Sequence, residues 1–250
     1  MTITLLLLAL ATALATMLGG IFALRFQDKS HLILGFSAGA VMGVAFFELL
    51  PEAISLSGNF SSFQVFFVVA IGFGFYLIID RFFHSSNLSA LHFHDHSQIC
   101  EHEYENKNRG TLRAGSLSIH SFLDGLGIGL AFQVSPVLGF VVAVAVLAHD
   151  FSDGINTVSA IIKSGGDKVR ALRWLTADAL APVAGIISTM FFSIPQDSLG
   201  LILALFAGFF LYMGASDLVP ESFHAHPTKW TTLATILGAF FVAILVSFAR

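Results

Sequence analysis

The sequence of 250 residues has few charged residues and a single cysteine. Only 11% of residues are Asp, Glu, Lys or Arg, whereas 56% are hydrophobic and the mean hydropathy is +0.83. Soluble domains contain about 25% charged residues, so this composition excludes an ordinary soluble protein. The lone Cys100 excludes an intramolecular disulfide framework, and we expect it to be a reduced thiol.

The apolar residues form eight runs, each about as long as the ~20 residues that cross a hydrocarbon core. Because the connections are short, we predict an all-α, multi-pass membrane protein with one transmembrane domain over residues 1–250. Segments one, three and eight have almost no interior polar groups and are predicted to be lipid-facing or scaffolding helices. The predicted segments are Thr2 to Leu24, Leu32 to Ile54, Phe63 to Phe83, Leu112 to Val134, Val137 to Ile162, Ala171 to Phe192, Leu199 to Glu221 and Thr231 to Phe248.

Lysine and arginine are absent from the connections after segments two, four and six, but occur after segments one, three, five and seven. Cytoplasmic loops collect these residues, so both termini are predicted to lie outside the cytoplasm. We expect the protein to lie in the cell (inner) membrane. The start of the chain lacks a basic n-region, which favours a retained first segment over a cleaved signal peptide.

The pattern His-x-Phe-x-Asp-Gly occurs twice, once in segment four and once in segment five. His120 and Asp124 are four residues apart, as are His149 and Asp153. Residues four apart lie on one face of a helix, and Asp150 shares the second face. Two such helices facing each other predict a site for a divalent cation.

Carboxylates inside a membrane carry a penalty of about 3 kcal/mol each, so Asp124, Asp150 and Asp153 would together cost about 9 kcal/mol in lipid. They are therefore expected to face the interior. The alternative is that His and Asp satisfy one another without an ion. Because the acids outnumber the bases, a bound cation is the favoured interpretation.

The ligand types narrow the choice of cation. Imidazole and carboxylate suit zinc, iron or manganese, and also cobalt or cadmium, whereas calcium and magnesium prefer oxygen ligands alone. The sequence does not decide among the transition metals. We expect a bound divalent metal, with zinc as the first candidate, and no resident cofactor.

An internal repeat links segments two and seven. An acidic residue, two further residues and then Pro-Glu occupy positions 48–52 and again 217–221, at an offset of 169. The two segments cross in opposite directions, which is typical of transporters with inverted repeats. The predicted topology places Glu48 and Glu52 at the outer mouth. It places Asp217 and Glu221 at the inner mouth.

Segment six contains Pro182, which removes a helical hydrogen bond and frees the carbonyl of Asp178. A carboxylate beside an unpaired carbonyl is expected next to a cation path. The alternative is that Asp178 lies near the cytoplasmic end, paired with Arg173 or hydrated.

These features together resemble the ZIP family of divalent-metal transporters. The resemblance is carried by the two motif copies on consecutive helices, the eight-segment layout, the His-rich loop and the Phe-Glu-Leu-Leu-Pro-Glu ending of segment two. It implies metal uptake into the cytoplasm through a binuclear-type site, with domains that move in an elevator-like or rocking cycle.

The resemblance also assigns residues. It implies that His120 and Asp124, with His149, Asp150 and Asp153, are metal ligands. Ser121 stands where many members have Asn. Before Pro182, where binuclear members often have Glu, this chain has Ala181 and its nearest carboxylate is Asp178. The primary site is therefore expected to be intact, and the second site, with Ser121 and Asp178, to be weakened or absent.

Residues 84–110 are predicted to form a His-rich cytoplasmic loop. Its spacing is too loose for a closed structural zinc site. We expect weak capture of metal, and a plain solvated linker is the alternative. The candidate ligands are His92, His94, His96 and His102.

Two other classes of function stay open on the sequence. The same ligands could serve a membrane-embedded metal hydrolase with Asp150 as general base, although no His-Glu-x-x-His motif is present. A metal-sensing receptor would bind without transport. The expected partners are divalent ions and the bilayer, with no nucleic acid, and a homodimer is left open.

Overall fold

The computed structural model describes residues 2–25, 31–84, 99–223 and 229–249. This part of the chain is helical, with eight long helices and no strand. Two of the helices are built from three consecutive pieces with a π-helical turn in the middle. The helices are α1 (Thr2–Arg25), α2 (His31–Val44, Ala45–Leu49 and Leu50–Leu56), α3 (Ser62–His84), α4 (Ile99–Val134), α5 (Pro136–Lys163), α6 (Lys168–Ser188), α7 (Gln196–Tyr212, Met213–Leu218 and Val219–Phe223) and α8 (Lys229–Ala249).

Each of the eight helices is long and apolar enough to span a membrane, and each coincides with one predicted segment. The prediction of an all-α multi-pass membrane protein is therefore confirmed. Burial differs sharply among the spans: 22% of the span is buried in α3 and in α8, 33% in α1 and 72% in α5. The helices predicted to face lipid are thus the exposed ones, and α5 lies at the centre.

The prediction of a loop over residues 84–110 is wrong for residues 99–110, which are helical. Helix α4 begins at Ile99, so His102 lies on a helix that continues into the membrane span. Extending an existing helix is much easier than starting one, and Glu101 and Glu103 lie near the amino end, where negative charge is favourable. His92, His94 and His96 lie outside the described residues.

The eight helices pack as two groups of four. Helices α1, α4, α5 and α6 make extensive contacts with one another and form what we call the ligand group. Helices α2, α3, α7 and α8 form the support group, in which α2 packs along α8 and α3 packs along α7. Contacts between the groups are fewer and run mainly between α2 and α5.

Close helix contacts reveal the inverted repeat. Gly39 of α2 lies against the carbonyl of Thr235 in α8, and Gly208 of α7 lies against the carbonyl of Val69 in α3. Gly39 and Gly208 are 169 positions apart, which is the offset found in the sequence. A second pair of glycines makes equivalent contacts. Gly238 of α8 lies against the carbonyl of Phe36 in α2, and Gly72 of α3 lies against the carbonyl of Leu205 in α7.

The same offset relates the two π-helical turns. Glu48 lies in the turn Ala45–Leu49 of α2, and Asp217 lies in the turn Met213–Leu218 of α7. Each turn is followed by a proline near the start of the next helical piece, Pro51 and Pro220. A π-helical turn shifts the helix register by one residue and occurs often at functional sites. The short sequence match therefore corresponds to a repeated structural unit.

The close glycine contacts predict that alanine at these positions destabilises the protein. A methyl group at Gly39 or Gly208 would collide with a backbone carbonyl of the neighbouring helix, whereas nothing lies within 4 Å of the equivalent point at Gly74. Gly39→Ala and Gly208→Ala should each lower the free energy of unfolding by about 1–3 kcal/mol. Thermal melting of the purified protein in detergent measures this change. The matched control Gly74→Ala should melt at or slightly above the wild-type temperature, because alanine favours the helix. Equal melting of all three variants would contradict the proposed packing.

Candidate metal centre

Four buried side chains converge between α4 and α5. His120, Asp124, His149 and Asp153 each offer a ligand atom, and these atoms all lie within 4.8 Å of one another. The Asp124 Oδ2 atom lies 2.9 Å from His120 Nε2 and 3.2 Å from His149 Nε2. The Asp153 Oδ2 atom lies 3.8 Å from His120 Nε2 and 3.7 Å from His149 Nε2. We call these four side chains the His/Asp cluster.

The repeated motif explains why the cluster forms. Each copy places its His and Asp one helical turn apart, and α4 and α5 pack against each other along their length. The glycine that ends each copy lets another helix come close: Gly125 lies against the carbonyl of Pro182 in α6, and Gly154 lies against that of Thr16 in α1. The motif therefore supplies both the ligands and the contacts that hold the ligand helices in place.

The orientation of His149 is fixed by the backbone of α5. Its Nδ1 lies 3.0 Å from the carbonyl oxygen of Ala145. A carbonyl only accepts hydrogen bonds, so Nδ1 must carry the proton and donate it. A neutral His149 then presents the lone pair of Nε2 to the centre, which is the arrangement typical of a metal ligand.

This orientation places two acceptors face to face. The Nε2 atom of His149 lies 3.2 Å from Asp124 Oδ2, and neither atom has a hydrogen to share when the imidazole is neutral. A proton or a metal cation between them would turn this repulsion into attraction. Asp124 Oδ1 and Asp153 Oδ2 are buried with no hydrogen-bond partner among the described residues, so the cluster has further oxygen ligands to offer.

Asp150 lies beside the cluster but is not one of its four members. Its side chain is fully buried, and neither carboxylate oxygen has a hydrogen-bond partner among the described residues. A buried carboxylate without partners is unfavourable unless a cation or a proton compensates it. Asp150 therefore adds to the excess of acid that the two imidazoles do not balance.

Asp178 is held by two hydroxyl groups. Ser121 donates to Asp178 Oδ1 at 2.7 Å, and Thr157 donates to Asp178 Oδ2 at 2.7 Å. The alternative in which Asp178 is hydrated or paired with Arg173 is wrong, because Asp178 is buried and Arg173 is exposed. Helix α6 also continues past Pro182 to Ser188, so the proline does not end the helix.

Thr157 was not among the predicted site residues. It follows Asp153 by one helical turn and Asp150 by two turns, so it lies on the same face of α5 as these acids. This spacing could have identified Thr157 as a candidate site residue from the sequence. Its partner on α6 could only be identified from the packing of the three helices.

The support group contacts the ligand helix next to the cluster. The Ser37 hydroxyl of α2 donates to the carbonyl oxygen of Ala148 at 2.8 Å, and its oxygen lies 2.8 Å from the Ser152 oxygen. Ala148 and Ser152 immediately precede the cluster residues His149 and Asp153. This buried contact fixes α5 relative to α2 at the level of the cluster.

Glu48 and Glu52, the acids predicted for the outer mouth, are not members of the His/Asp cluster. Glu48 is buried in the π-helical turn of α2, and Glu52 is half-buried one turn later. The side chains of Asp217 and Glu221 lie outside the part that the structure describes. The structure therefore brings four of the predicted site residues together and places Ser121 with Asp178 in a separate hydrogen-bonded set.

The sequence is similar to those of known proteins. A family model described as ZIP Zinc transporter matches residues 84–248, which include both motif copies. Zinc transporter ZupT of Corynebacterium efficiens is 29% identical over 236 residues, covering 86% of this chain and 85% of that protein. Zinc transporter ZupT of Corynebacterium glutamicum is 28% identical over 255 aligned positions, covering 95% of each. Zinc transporter ZIP4 of Homo sapiens is 29% identical over 135 residues, covering 52% of this chain and 21% of that longer protein.

The hydrogen bonds to Asp178 predict a stability effect. Thr157→Val removes one hydroxyl and leaves a buried carboxylate oxygen without its donor, so it should lower the free energy of unfolding by about 1–3 kcal/mol. Thermal melting in detergent measures this change. Thr176→Val, at an exposed position of α6, is the matched control and should melt within about 1 °C of wild type, since surface changes are usually small. If both variants melted alike, the hydroxyl of Thr157 would not stabilise Asp178.

Proposed function

Because the chain belongs to the ZIP family of zinc transporters, we propose that it moves a divalent transition metal, with zinc as the first candidate, through the His/Asp cluster. The chain is a multi-pass membrane protein, and its relatives are named as transporters, so it is a transport protein rather than an enzyme. The alternative of a metal-dependent hydrolase is therefore set aside.

The orientation of His149 is the observation that carries the proposal. The hydrogen bond from Nδ1 to Ala145 turns Nε2 towards Asp124 Oδ2, so that two acceptors face one another at 3.2 Å. A divalent cation satisfies both atoms at once. A proton on Nε2 would satisfy this pair too, but it would leave Asp150 uncompensated.

Charge balance favours a divalent ion over protons alone. Four aspartates, Asp124, Asp150, Asp153 and Asp178, and two histidines are buried in the ligand group. Asp178 accepts from two hydroxyl donors, which stabilise its oxygens without an ion. A divalent cation bound by His120, Asp124, His149 and Asp153, with Asp150 close by, would offset two negative charges while both imidazoles stay neutral.

The ligand set suits zinc. Two imidazole nitrogens and two carboxylate oxygens supply four donors, which is the usual number for zinc, and no thiolate is among them. Iron, manganese, cobalt and cadmium accept the same donors, so availability and geometry decide among them. We propose one primary ion at the cluster. Ser121 and Asp178 bond to one another, which leaves them less free to form a second site.

The division into two helix groups gives a route for alternating access. Within each group, glycines bring backbones together, as at Gly154 with α1 and Gly39 with α8. Such contacts resist relative movement inside a group. The cluster lies on the ligand group and faces the support group, so movement between the two groups would expose the ion to one side and then to the other.

The proposed orientation of the chain follows from the charge bias of the connections, and the proposed inward direction of transport is what the resemblance to the ZIP family implies. Lys163, Lys168 and Arg173 lie at the end of the bundle that we assign to the cytoplasm. Both termini then lie outside, in the cell (inner) membrane, and transport is inward. Glu48 and Glu52 lie at the entrance in this orientation, and Asp217 and Glu221 lie at the exit. His92, His94, His96 and His102 would hold arriving metal weakly.

Uptake into proteoliposomes tests the proposed function. Wild-type protein should accumulate zinc, whereas His120→Ala and Asp153→Ala should reduce the uptake rate by at least about tenfold, because each removes a ligand worth more than 1.4 kcal/mol. Asp167→Asn is the matched control, since Asp167 is an exposed helix cap and asparagine also caps helices. A panel of iron, manganese, cobalt and cadmium identifies the substrates. Equal uptake of every metal by wild type and both cluster variants would disprove the assignment of the site.

The proposed exit pair is tested separately. Asp217→Asn combined with Glu221→Gln should slow the release of metal into the vesicle interior while zinc affinity stays near the wild-type value. The reason is that carboxylates at the inner mouth accept the ion after it leaves the cluster. Stopped-flow measurement with a zinc-sensitive dye inside the vesicles follows release. Glu48→Gln with Glu52→Gln is the comparison and should act on entry instead. Unchanged release in the Asp217 and Glu221 variant would remove the exit assignment.

A further inference from the structure

A cluster of buried aromatic rings from the support group lies against the two imidazole ligands. Tyr76 comes from α3, and Phe209, Phe210 and Tyr212 come from α7. All four side chains are buried. We call these residues the aromatic wall. It stands on the other helix group from the His/Asp cluster and is not part of either motif copy.

Each imidazole is contacted by one ring of the wall. The Tyr76 and His120 rings lie 5.7 Å apart at an angle of 85°, and the Phe210 and His149 rings lie 6.3 Å apart at an angle of 73°. Both are edge-to-face contacts, an arrangement that aromatic rings prefer. The two imidazoles themselves lie 5.8 Å apart. The wall therefore packs against both nitrogen ligands at once.

Three rings of the wall contact one another. Tyr76 lies 6.1 Å from Phe209 and 5.3 Å from Tyr212, measured between ring centroids. Tyr212 in turn lies 5.2 Å from Phe73. Phe210 follows Phe209 on α7, and its side chain is buried. Because packed interiors leave little free volume, neither Tyr76 nor Phe210 can move aside without displacing its neighbours.

We propose, on the basis of the proposed function, that Tyr76 and Phe210 are specificity-determining positioning residues for the transported metal. They hold the His120 and His149 rings at a spacing that suits a small ion such as zinc, whose bonds to nitrogen are about 2.0–2.1 Å long. A larger ion of similar chemistry, such as cadmium, needs longer bonds and must push the imidazoles against the wall.

The restraint on the imidazoles operates in only part of the proposed transport cycle, because the wall and the imidazoles lie on different helix groups. Tyr76 and Phe210 belong to the support group, and the imidazoles belong to the ligand group. Movement of one group against the other would separate the rings from the ligands. The wall therefore selects the metal in the arrangement of helices described here, and the restraint ends once the groups move.

Substitution of the two rings tests this inference in proteoliposomes that contain the full chain. Tyr76→Leu and Phe210→Leu should raise the KM for zinc by about three- to tenfold, because each loses an aromatic contact to a ligand. The KM for cadmium should rise less or fall, so the ratio of cadmium to zinc uptake should increase by at least threefold. Maximal rates should change less than the KM values. Tyr76→Phe keeps the ring and should keep the wild-type ratio of cadmium to zinc uptake.

Phe67→Leu is the matched control, because Phe67 lies on α3 with its side chain 58% exposed and stacks only on Phe63 among the described residues. It should leave both KM values unchanged. Tyr76→Met keeps most of the side-chain volume without the planar ring. It replaces Tyr76→Leu in the experiment if the leucine variant does not fold. It should show the same rise in the cadmium to zinc ratio.

The results separate this inference from the proposed function. Zinc uptake by wild type together with an unchanged cadmium to zinc ratio in folded Tyr76 and Phe210 variants would overturn the wall as a selectivity element. The same holds if both metals lose uptake by an equal factor through the maximal rate alone. Absence of metal uptake by wild type would instead overturn the proposed function.

Discussion

The structure depends on the confinement of ionisable ligands within an apolar helix bundle. Carboxylates facing lipid would each cost about 3 kcal/mol, so Asp124 and Asp153 turn inward, where His120 and His149 meet them. The hydrogen bond from His149 to Ala145 then leaves acceptor facing acceptor at the centre. The arrangement of these side chains is one that a bound cation would stabilise. The centre is therefore a consequence of the membrane environment as much as of the ligands.

Glycines of the internal repeat and of the His-x-Phe-x-Asp-Gly motif both allow close helix packing, in different helix groups. Gly125 and Gly154 end the two motif copies and bring α6 and α1 against the ligand helices, whereas Gly39 and Gly208 join the helices of the support group. Backbone contact thus binds the helices within each group. Between the groups, side chains such as Ser37 make the contact. The proposed alternating access needs rigid helix groups and a weaker boundary between them, and the distribution of the close glycine contacts fits this requirement.

Much of this arrangement could be predicted from the sequence, because the relevant signals are local. Hydropathy locates the eight spans, and spacing of four residues places His120 over Asp124 without knowledge of any other helix. The hydrogen bonds from Thr157 and Ser121 to Asp178 depend on three helices at once, so the sequence suggested the acid but not its partners. The helical extension from Ile99 was missed because its polar residues are typical of a loop, while the adjoining span propagates the helix. The contact of Tyr76 with His120 likewise depends on packing between groups.

We propose that zinc is bound by imidazoles and carboxylates of α4 and α5 inside the bundle. X-ray absorption at the zinc edge of the purified, zinc-loaded protein tests it most directly. The predicted result is a four-ligand shell of nitrogen and oxygen at about 2.0–2.1 Å with the multiple scattering of two imidazoles, reduced to one imidazole in His149→Ala. A shell without imidazole scattering, or one that His149→Ala leaves unchanged, would contradict the claim.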